Sequence, residues 1–259
     1  AAPRPGAPWR ILTADYDKDG RQDLLAIGPA GLTLLQQRAG GRFVDVTAEA
    51  GLGELVALDA AWVDIEHDGD LDLVVAAGER GVLLLRNADG AFTDETLLAG
   101  FPAPEAGERV TRVAGGELDD DDAIDVVLAG EPARVLRNAG LGWFGDPLLP
   151  PQRLGDSAAA LAVNDVNNDG ALETVIAVRE SGGWRLRFTD ERIQPIDAGS
   201  QSIDDVLLVD YDNDGYLDVA AASVDGVRVW RNLGADGWRD MTDPLGLAAV
   251  RPQPSPWRR

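Results

Sequence analysis

DYDKDGRQD, at residues 15–23, is a nine-residue phrase that returns four more times along the chain. The later copies are DIEHDGDLD at 64–72, ELDDDDAID at 117–125, DVNNDGALE at 165–173 and DYDNDGYLD at 210–218. Their first residues are 49, 53, 48 and 45 positions apart. A regular period of this size indicates one supersecondary unit copied in a row.

Each phrase lies between two apolar segments, which predicts one strand before it and a second strand after it. In the second repeat these segments are Ala60–Val63 and Leu73–Ala76. A third apolar segment follows, ending in Arg-Asn in three repeats, and a fourth segment begins with glycine and an aromatic residue. Four short strands in each repeat are typical of a β-propeller blade. The sequence therefore predicts an all-β fold, a single propeller domain of five four-stranded blades over residues 1–259.

Two arrangements of the blades fit this pattern. The five blades close into a ring, or the chain is part of a longer array of about six to eight blades. Because open sheet edges promote aggregation, the closed ring is slightly favoured. The fourth strand of repeat four is obscure and is expected near 193–196, and proline-containing segments at 102–104 and 147–151 are expected between blades.

The acidic phrase has the donor pattern of a calcium loop. Ca²⁺ takes six to eight oxygen ligands, and a D-x-D-x-D-G loop turns the side chains of positions 1, 3 and 5 inward. Glycine at position 6 supplies the left-handed backbone angle of the turn. An EF-hand would need an acid at position 12, and that position holds an apolar residue in all five copies. The last carboxylate is at position 9 and a strand follows it, so the EF-hand is excluded.

These features resemble the FG-GAP/VCBS repeat family, which forms the blades of integrin α-subunit heads and of many secreted bacterial propellers. The resemblance extends over essentially the whole chain in five copies. It implies a propeller with Ca²⁺ between the first two strands of a blade, and a role in adhesion, ligand binding or scaffolding.

We number the five phrases as loop one to loop five and their residues as positions 1 to 9. The ligands that the resemblance implies are Asp15, Asp17, Asp19, Asp23 and the carbonyl of Arg21 in loop one; Asp64, Glu66, Asp68, Asp72 and the carbonyl of Asp70 in loop two; Glu117, Asp119, Asp121 and Asp125 in loop three; Asp165, Asn167, Asp169 and Glu173 in loop four; and Asp210, Asp212, Asp214, Asp218 and the carbonyl of Tyr216 in loop five. Loop three, in which Asp122 replaces the glycine, is expected to be the weakest or an empty site. Loop four has Asn167 at position 3 and is expected to bind with one charge fewer.

Composition excludes several classes of function. The formal net charge is −22, which argues against binding to nucleic acid or to anionic membrane surfaces. The chain has no cysteine and a single histidine, His67 within loop two, so zinc sites and a Ser-His-Asp triad are not expected. No apolar run is long enough to insert into a membrane. Calcium binding already explains almost every close pair of carboxylates, so no enzyme activity is expected.

Two side-chain sets leave alternatives open. Seven tryptophans invite a carbohydrate-binding interpretation; Trp9, Trp62 and Trp230 are expected in the core, and Trp143, Trp184 and Trp238 near the rim. Arginines 86, 137 and 231 recur at one place in the blade and are expected to contact the next blade. The predicted function is a calcium-binding, non-catalytic binding or scaffold module, extracellular or periplasmic, with a protein or glycan partner. A lectin-like propeller, or the non-catalytic propeller of a larger secreted enzyme, is the alternative.

Overall fold

The computed structural model describes residues 10–28, 31–53, 55–119 and 121–250. These ranges contain twenty β-strands and one short 3₁₀ turn, Gly234–Asp236. The strands are β1 Arg10–Ala14, β2 Asp23–Gly28, β3 Gly31–Arg38, β4 Arg42–Asp45, β5 Asp59–Val63, β6 Asp72–Ala76, β7 Val82–Ala88, β8 Ala91–Asp94, β9 Arg109–Gly116, β10 Asp125–Glu131, β11 Ala133–Leu136, β12 Gln152–Gly155, β13 Ala158–Asn164, β14 Glu173–Glu180, β15 Gly183–Phe188, β16 Ile196–Gly199, β17 Asp205–Val209, β18 Asp218–Ser223, β19 Gly226–Asn232 and β20 Trp238–Asp240. No helix in these ranges is long and apolar enough to cross a lipid bilayer. Trp9, which is expected in the core, lies outside the residues that the structure describes.

The strands form five four-stranded antiparallel sheets, and in each sheet the strands neighbour one another in chain order. Each sheet is one blade, as the sequence predicts. The second strands carry continuous apolar runs and are the most buried, β6 over its whole length. The fourth strands alternate with polar residues and are exposed, β4 over its whole length. This gradient of burial confirms the all-β propeller fold.

Successive blades pack through their first strands, β1 against β5, β5 against β9, β9 against β13 and β13 against β17. Side chains of neighbouring blades share apolar clusters, such as Leu25 and Leu34 with Leu73 and Leu85. Among the described residues, β17 and β1 do not pack against each other in a comparable way. The closed ring and the longer array therefore both stay predictions.

Two segments differ from the expectation. The fourth strand of blade four is β16, which begins at Ile196, the last of the predicted residues 193–196, and continues to Gly199. Pro147–Pro151 was predicted between blades, and this is wrong, since it lies inside blade three between β11 and β12. Proline donates no hydrogen bond to a ladder, so the chain runs as a loop there and pairs again only at β12. The segment 102–104 lies between β8 and β9, as predicted.

Candidate metal centre

Each acidic phrase connects the first strand of a blade to the second. The position-9 acid is the first residue of the second strand and is at most 3% exposed in all five blades. In blade one, the Asp23 carboxylate accepts a hydrogen bond from the backbone N–H of Gln37 in β3 at 2.7 Å. The same bond fixes Asp72, Asp125 and Asp218 through the N–H groups of Asn87, Asn138 and Asn232. The third strand thus anchors the end of the loop.

Positions 1, 5 and 6 form the same turn in four of the loops. The Asp15 carboxylate accepts hydrogen bonds from the N–H groups of Asp19 at 3.0 Å and Gly20 at 2.9 Å. Asp64, Asp165 and Asp210 accept the equivalent pairs of bonds. Position 6 is left-handed in every loop, with φ of 82° at Gly20 and 66° at Asp122. The prediction that Asp122 takes the place of the glycine is confirmed.

Position 4 is a second left-handed position, which the sequence interpretation missed. It holds Lys18, His67, Asn168 and Asn213, all with φ between 57° and 60°. The side chains of two of them reach the next loop. Lys18 Nζ lies 2.7 Å from an Asp70 carboxylate oxygen, and Asn168 Nδ2 donates to the Gly215 carbonyl at 2.7 Å. The recurrence of asparagine at this position was the available signal, because Asn tolerates this backbone region.

The structure brings three carboxylates together, with oxygens within 4.8 Å of one another, in four of the five loops. The groups are Asp15, Asp17 and Asp19; Glu117, Asp119 and Asp121; Asp169, Glu173 and Asp190; and Asp210, Asp212 and Asp218. In the described chain the acids of loop two form no such group. The Arg86 guanidinium lies among them, paired with Glu66 and 3.5 Å from Asp72.

The donor set fits a hard divalent cation. All the gathered side chains present oxygen, the ligand that Ca²⁺ prefers. In loop five, Oδ1 of Asp212 has no hydrogen-bond partner, and in loop one Oδ2 of the buried Asp23 makes no well-formed hydrogen bond, with only a weak one from the Tyr16 N–H. A buried carboxylate oxygen without a partner is costly, and a cation would satisfy it. The position-7 carbonyls of Arg21, Asp70 and Tyr216 stay predicted ligands.

Burial dominates the electrostatics of the position-9 acids. It raises the pKa of Asp23, Glu173 and Asp218, and it raises that of Asp72 to about 6. Burial, followed by the charge of Asp125, also raises the pKa of Asp119 to about 6. Raised values mean that the ionised forms are unfavourable without a compensating cation.

The arginine and the asparagine of the recurring Arg-Asn pair make different contacts. The arginines form ion pairs with acids of their own blade: Arg86 with Glu66, Asp72 and Glu95, Arg137 with Asp119 and Asp125, and Arg231 with Asp212 and Asp214. The prediction that they contact the next blade holds for Arg86, whose guanidinium lies against Gly142 of blade three, and stays a prediction for Arg137 and Arg231. The asparagines form hydrogen bonds with the preceding blade. Asn87, Asn138 and Asn232 each donate to a position-2 carbonyl of the preceding blade.

Asp190 is a candidate ligand that the sequence interpretation missed. It follows β15 and joins Asp169 and Glu173 at loop four. Asp190 thus supplies a carboxylate beside Asn167 that the nine-residue phrase lacks, and binding with one charge fewer stays a prediction. Asp190 lies outside the nine-residue phrase, so only the register of β15 against β14 reveals it.

Residues 15–75, which contain loops one and two, match the FG-GAP-like repeat. Residues 15–75 thus carry an FG-GAP-like repeat. No curated protein sequence matches the chain.

Solved structures share the fold of these FG-GAP-like repeats at low sequence identity. An Agrocybe aegerita lectin that recognises non-reducing terminal N-acetylglucosamine is 18% identical with a TM-score of 0.50, over 89% of this chain and 64% of its own. BBS1N in complex with ARL6DN is 14% identical with a TM-score of 0.54, over 88% and 64%. The Dos1 propeller is 12% identical with a TM-score of 0.53, over 83% and 54%. The chain thus spans less than two thirds of each of these structures.

Proposed function

We propose that this protein is a calcium-binding, non-catalytic propeller that acts outside the cytoplasm as a binding or scaffold module. The main support for this proposal comes from loop one. Three of its carboxylates lie within 4.8 Å of one another, and the buried Asp23 contributes an oxygen that makes no well-formed hydrogen bond. Asp15, Asp17, Asp19 and Asp23 would hold the ion, which supplies no chemistry beyond charge and cross-linking of the first two strands.

The proposed location follows from the affinity expected of such a site. Extracellular modules bind calcium with dissociation constants of about 10⁻⁴–10⁻³ M, and sites of that strength stay empty at cytosolic calcium levels. The loops lie at the surface, with positions 5 and 6 of loops two, four and five exposed. Extracellular or periplasmic calcium can therefore reach them without opening the fold.

Isothermal titration of Ca²⁺ into EDTA-stripped protein tests this proposal. Wild type should bind calcium with millimolar or tighter affinity and should not bind Mg²⁺ comparably, because Mg²⁺ demands a smaller octahedral site. Asp17→Asn should weaken the loop-one site, whereas Asp89→Asn, an exposed acid outside the loops, should not. Calcium binding that Asp17→Asn leaves unchanged would remove loop one from the proposal, and submicromolar affinity would count against the extracellular location.

A cleft between blades four and five favours glycan binding as a second candidate function. It encloses about 360 Å³ and is lined by Asp190, Arg192, Gln194, Tyr216 and Trp238, among others. Aromatic rings beside charged and amide groups suit the apolar faces and hydroxyls of a sugar. Tyr216 is 38% exposed, whereas Trp238 stacks on Phe188 with ring centroids 5.3 Å apart. Tyr216 is therefore the more accessible ring.

Saturation-transfer NMR with N-acetylglucosamine, followed by a glycan array, tests this second candidate. A glycan that binds in the cleft should lose its signal in Tyr216→Ala, which keeps the backbone carbonyl of position 7. The matched control is Trp143→Ala, an exposed aromatic outside the cleft, which should leave binding intact. Binding that survives Tyr216→Ala, or no binding to any glycan, would argue for a protein partner instead.

A further inference from the structure

One side chain from the end of the third strand reaches into every acidic loop. We call this place the cross-loop position; it is occupied by Gln36, Arg86, Arg137, Asp190 and Arg231. The register makes these residues equivalent. Position 10, the residue directly after each phrase, pairs with a residue of the third strand, and the cross-loop residue comes directly after that partner. Leu24 pairs with Leu35, for example, and Leu73 pairs with Leu85. In blade four Val175 pairs with Phe188, so position 10, Thr174, lies opposite Thr189. Asp190 is the residue that follows Thr189.

The contact is the same in all five blades although the residue types differ. The cross-loop side chain always meets position 3 of its own loop. Gln36 donates to Asp17, Arg86 pairs with Glu66, Arg137 lies 3.4 Å from Asp119, Asp190 accepts from Asn167 at 3.1 Å, and Arg231 lies 2.7 Å from Asp212. Because the geometry is constant, the charge of the cross-loop residue is the variable.

In blades two, three and five that charge is positive. An arginine guanidinium stays protonated at any ordinary pH, so it is a permanent cation among the acids. Arg86 and Arg137 also approach the buried position-9 acids, and Arg231 pairs with Asp214 at 2.9 Å. The side chains of Arg86 and Arg137 are 13% and 17% exposed. The Gly142 backbone lies close over Arg86, since a Cβ there would come 2.3 Å from the guanidinium.

Blades one and four lack that cation. Gln36 is neutral, so loop one has no guanidinium against the Asp17 carboxylate. Asp190 adds a carboxylate to loop four from the cross-loop position, while position 3 holds the neutral Asn167. Arg192 pairs with Asp169 and Asp190, but its side chain is 76% exposed and can leave for solvent. Arg21 contacts Asp19 alone among the loop-one acids.

The spacing of the acids does not distinguish loops one and four from the loops that have an arginine. Loops three and five gather three carboxylates as closely as loops one and four do. The cross-loop residue separates the two groups. A guanidinium a few ångströms from a divalent ion is repelled by it, and in a partly buried setting the repulsion is substantial.

We propose that the cross-loop residue selects the cation of each blade: loops one and four take Ca²⁺ first, whereas loops two, three and five are held by their own arginine. This rests on the proposed function of calcium binding. Loops with arginine accept calcium only when the guanidinium is displaced, so they bind more weakly.

Native mass spectrometry and calorimetric titration of the full chain with Ca²⁺ test the proposal. Wild type should show two tight equivalents, followed by weaker ones. Arg231→Gln should add a third tight equivalent, with loop-five affinity raised on the order of tenfold. Asp190→Arg should remove one tight equivalent. Arg239→Gln, an exposed arginine on β20, is the matched control and should change nothing.

The outcomes separate this proposal from the proposed function. Five equivalent sites in wild type, or an unchanged count in Arg231→Gln, would overturn the selection by the cross-loop residue while leaving calcium binding intact. Absence of any calcium binding in wild type would overturn both. Since Asp190→Arg places a charge in a partly buried cluster, its melting temperature is checked first; if it does not fold, Arg231→Gln decides alone.

Discussion

The Asn87 side chain of blade two donates a hydrogen bond of 2.8 Å to the backbone carbonyl of Tyr16 in blade one. Tyr16 is position 2 of loop one, and its ring stacks on Trp62 and Phe92 with centroids 6.3 and 6.0 Å apart. The positions proposed to hold the metal and the position that contacts the other blade therefore alternate along one loop. Order in the acidic loop and packing between blades are coupled through this residue.

Asn87→Ala should destabilise the protein by about 1–3 kcal/mol, because it leaves the buried Tyr16 carbonyl and the Leu71 carbonyl without this donor. Chemical denaturation measures the change. Gln201→Ala, an exposed amide, is the control and should change stability by less than about 0.5 kcal/mol. Equal stabilities of the two variants would show that the bond between blades contributes nothing.

Asp122→Gly should stabilise the apo protein by about 1 kcal/mol, because position 6 of loop three has a φ of 66°. The other four loops have glycine there. Denaturant unfolding in EDTA measures the effect.

The control for this change is Asp225→Gly, an exposed acid that is not among the residues with positive φ. Glycine should be destabilising there, since only the entropy of the unfolded chain changes. Destabilisation by both substitutions would mean that the backbone of loop three carries no left-handed strain.

The pH dependence of stability should include a contribution from Asp59. Burial raises the pKa of this carboxyl above its ordinary value of 3.8, against the opposing effect of Arg10 at 2.7 Å. The native state thus holds a proton that the unfolded state releases. This contribution favours the folded state at low pH and is lost as pH rises from about 3.8 through the raised folded-state pKa.

Asp59→Asn removes that titration, so it provides the comparison. Unfolding of wild type and variant in EDTA is measured from pH 4 to pH 7. Relative to the variant, wild type should be more stable at pH 4 than at pH 7. A difference that stays constant, or grows in favour of wild type as pH rises, would contradict the raised pKa.

The fold was predictable because its determinants are local and repeated. The phrase at 15–23, its period and the apolar segments around it predict five four-stranded blades, and each blade forms. The predictions of the fold that differ from the structure concern a proline-containing segment and an irregular repeat. Pro147–Pro151 carries no sequence mark that distinguishes a loop within blade three from a linker between blades.

The candidate site was only partly predictable, because the missed residues come from another strand. Asp190 and the arginines lie outside the nine-residue phrase, and only strand register brings them to the acids. A repeated Arg-Asn is visible in sequence, but which neighbouring blade each member contacts depends on side-chain direction. The asparagine contacts the preceding blade, as with Asn138 and the Ile65 carbonyl at 3.1 Å.

Thermal unfolding in millimolar Ca²⁺, compared with excess EDTA and with Mg²⁺, tests calcium binding most directly. One site at a hundredfold excess over its dissociation constant stabilises by about 2.7 kcal/mol, so two tight sites should raise the melting temperature by about 10 °C or more. The rise should be specific to calcium. The same melting temperature in calcium and in EDTA would contradict the proposed calcium sites and leave only the propeller fold.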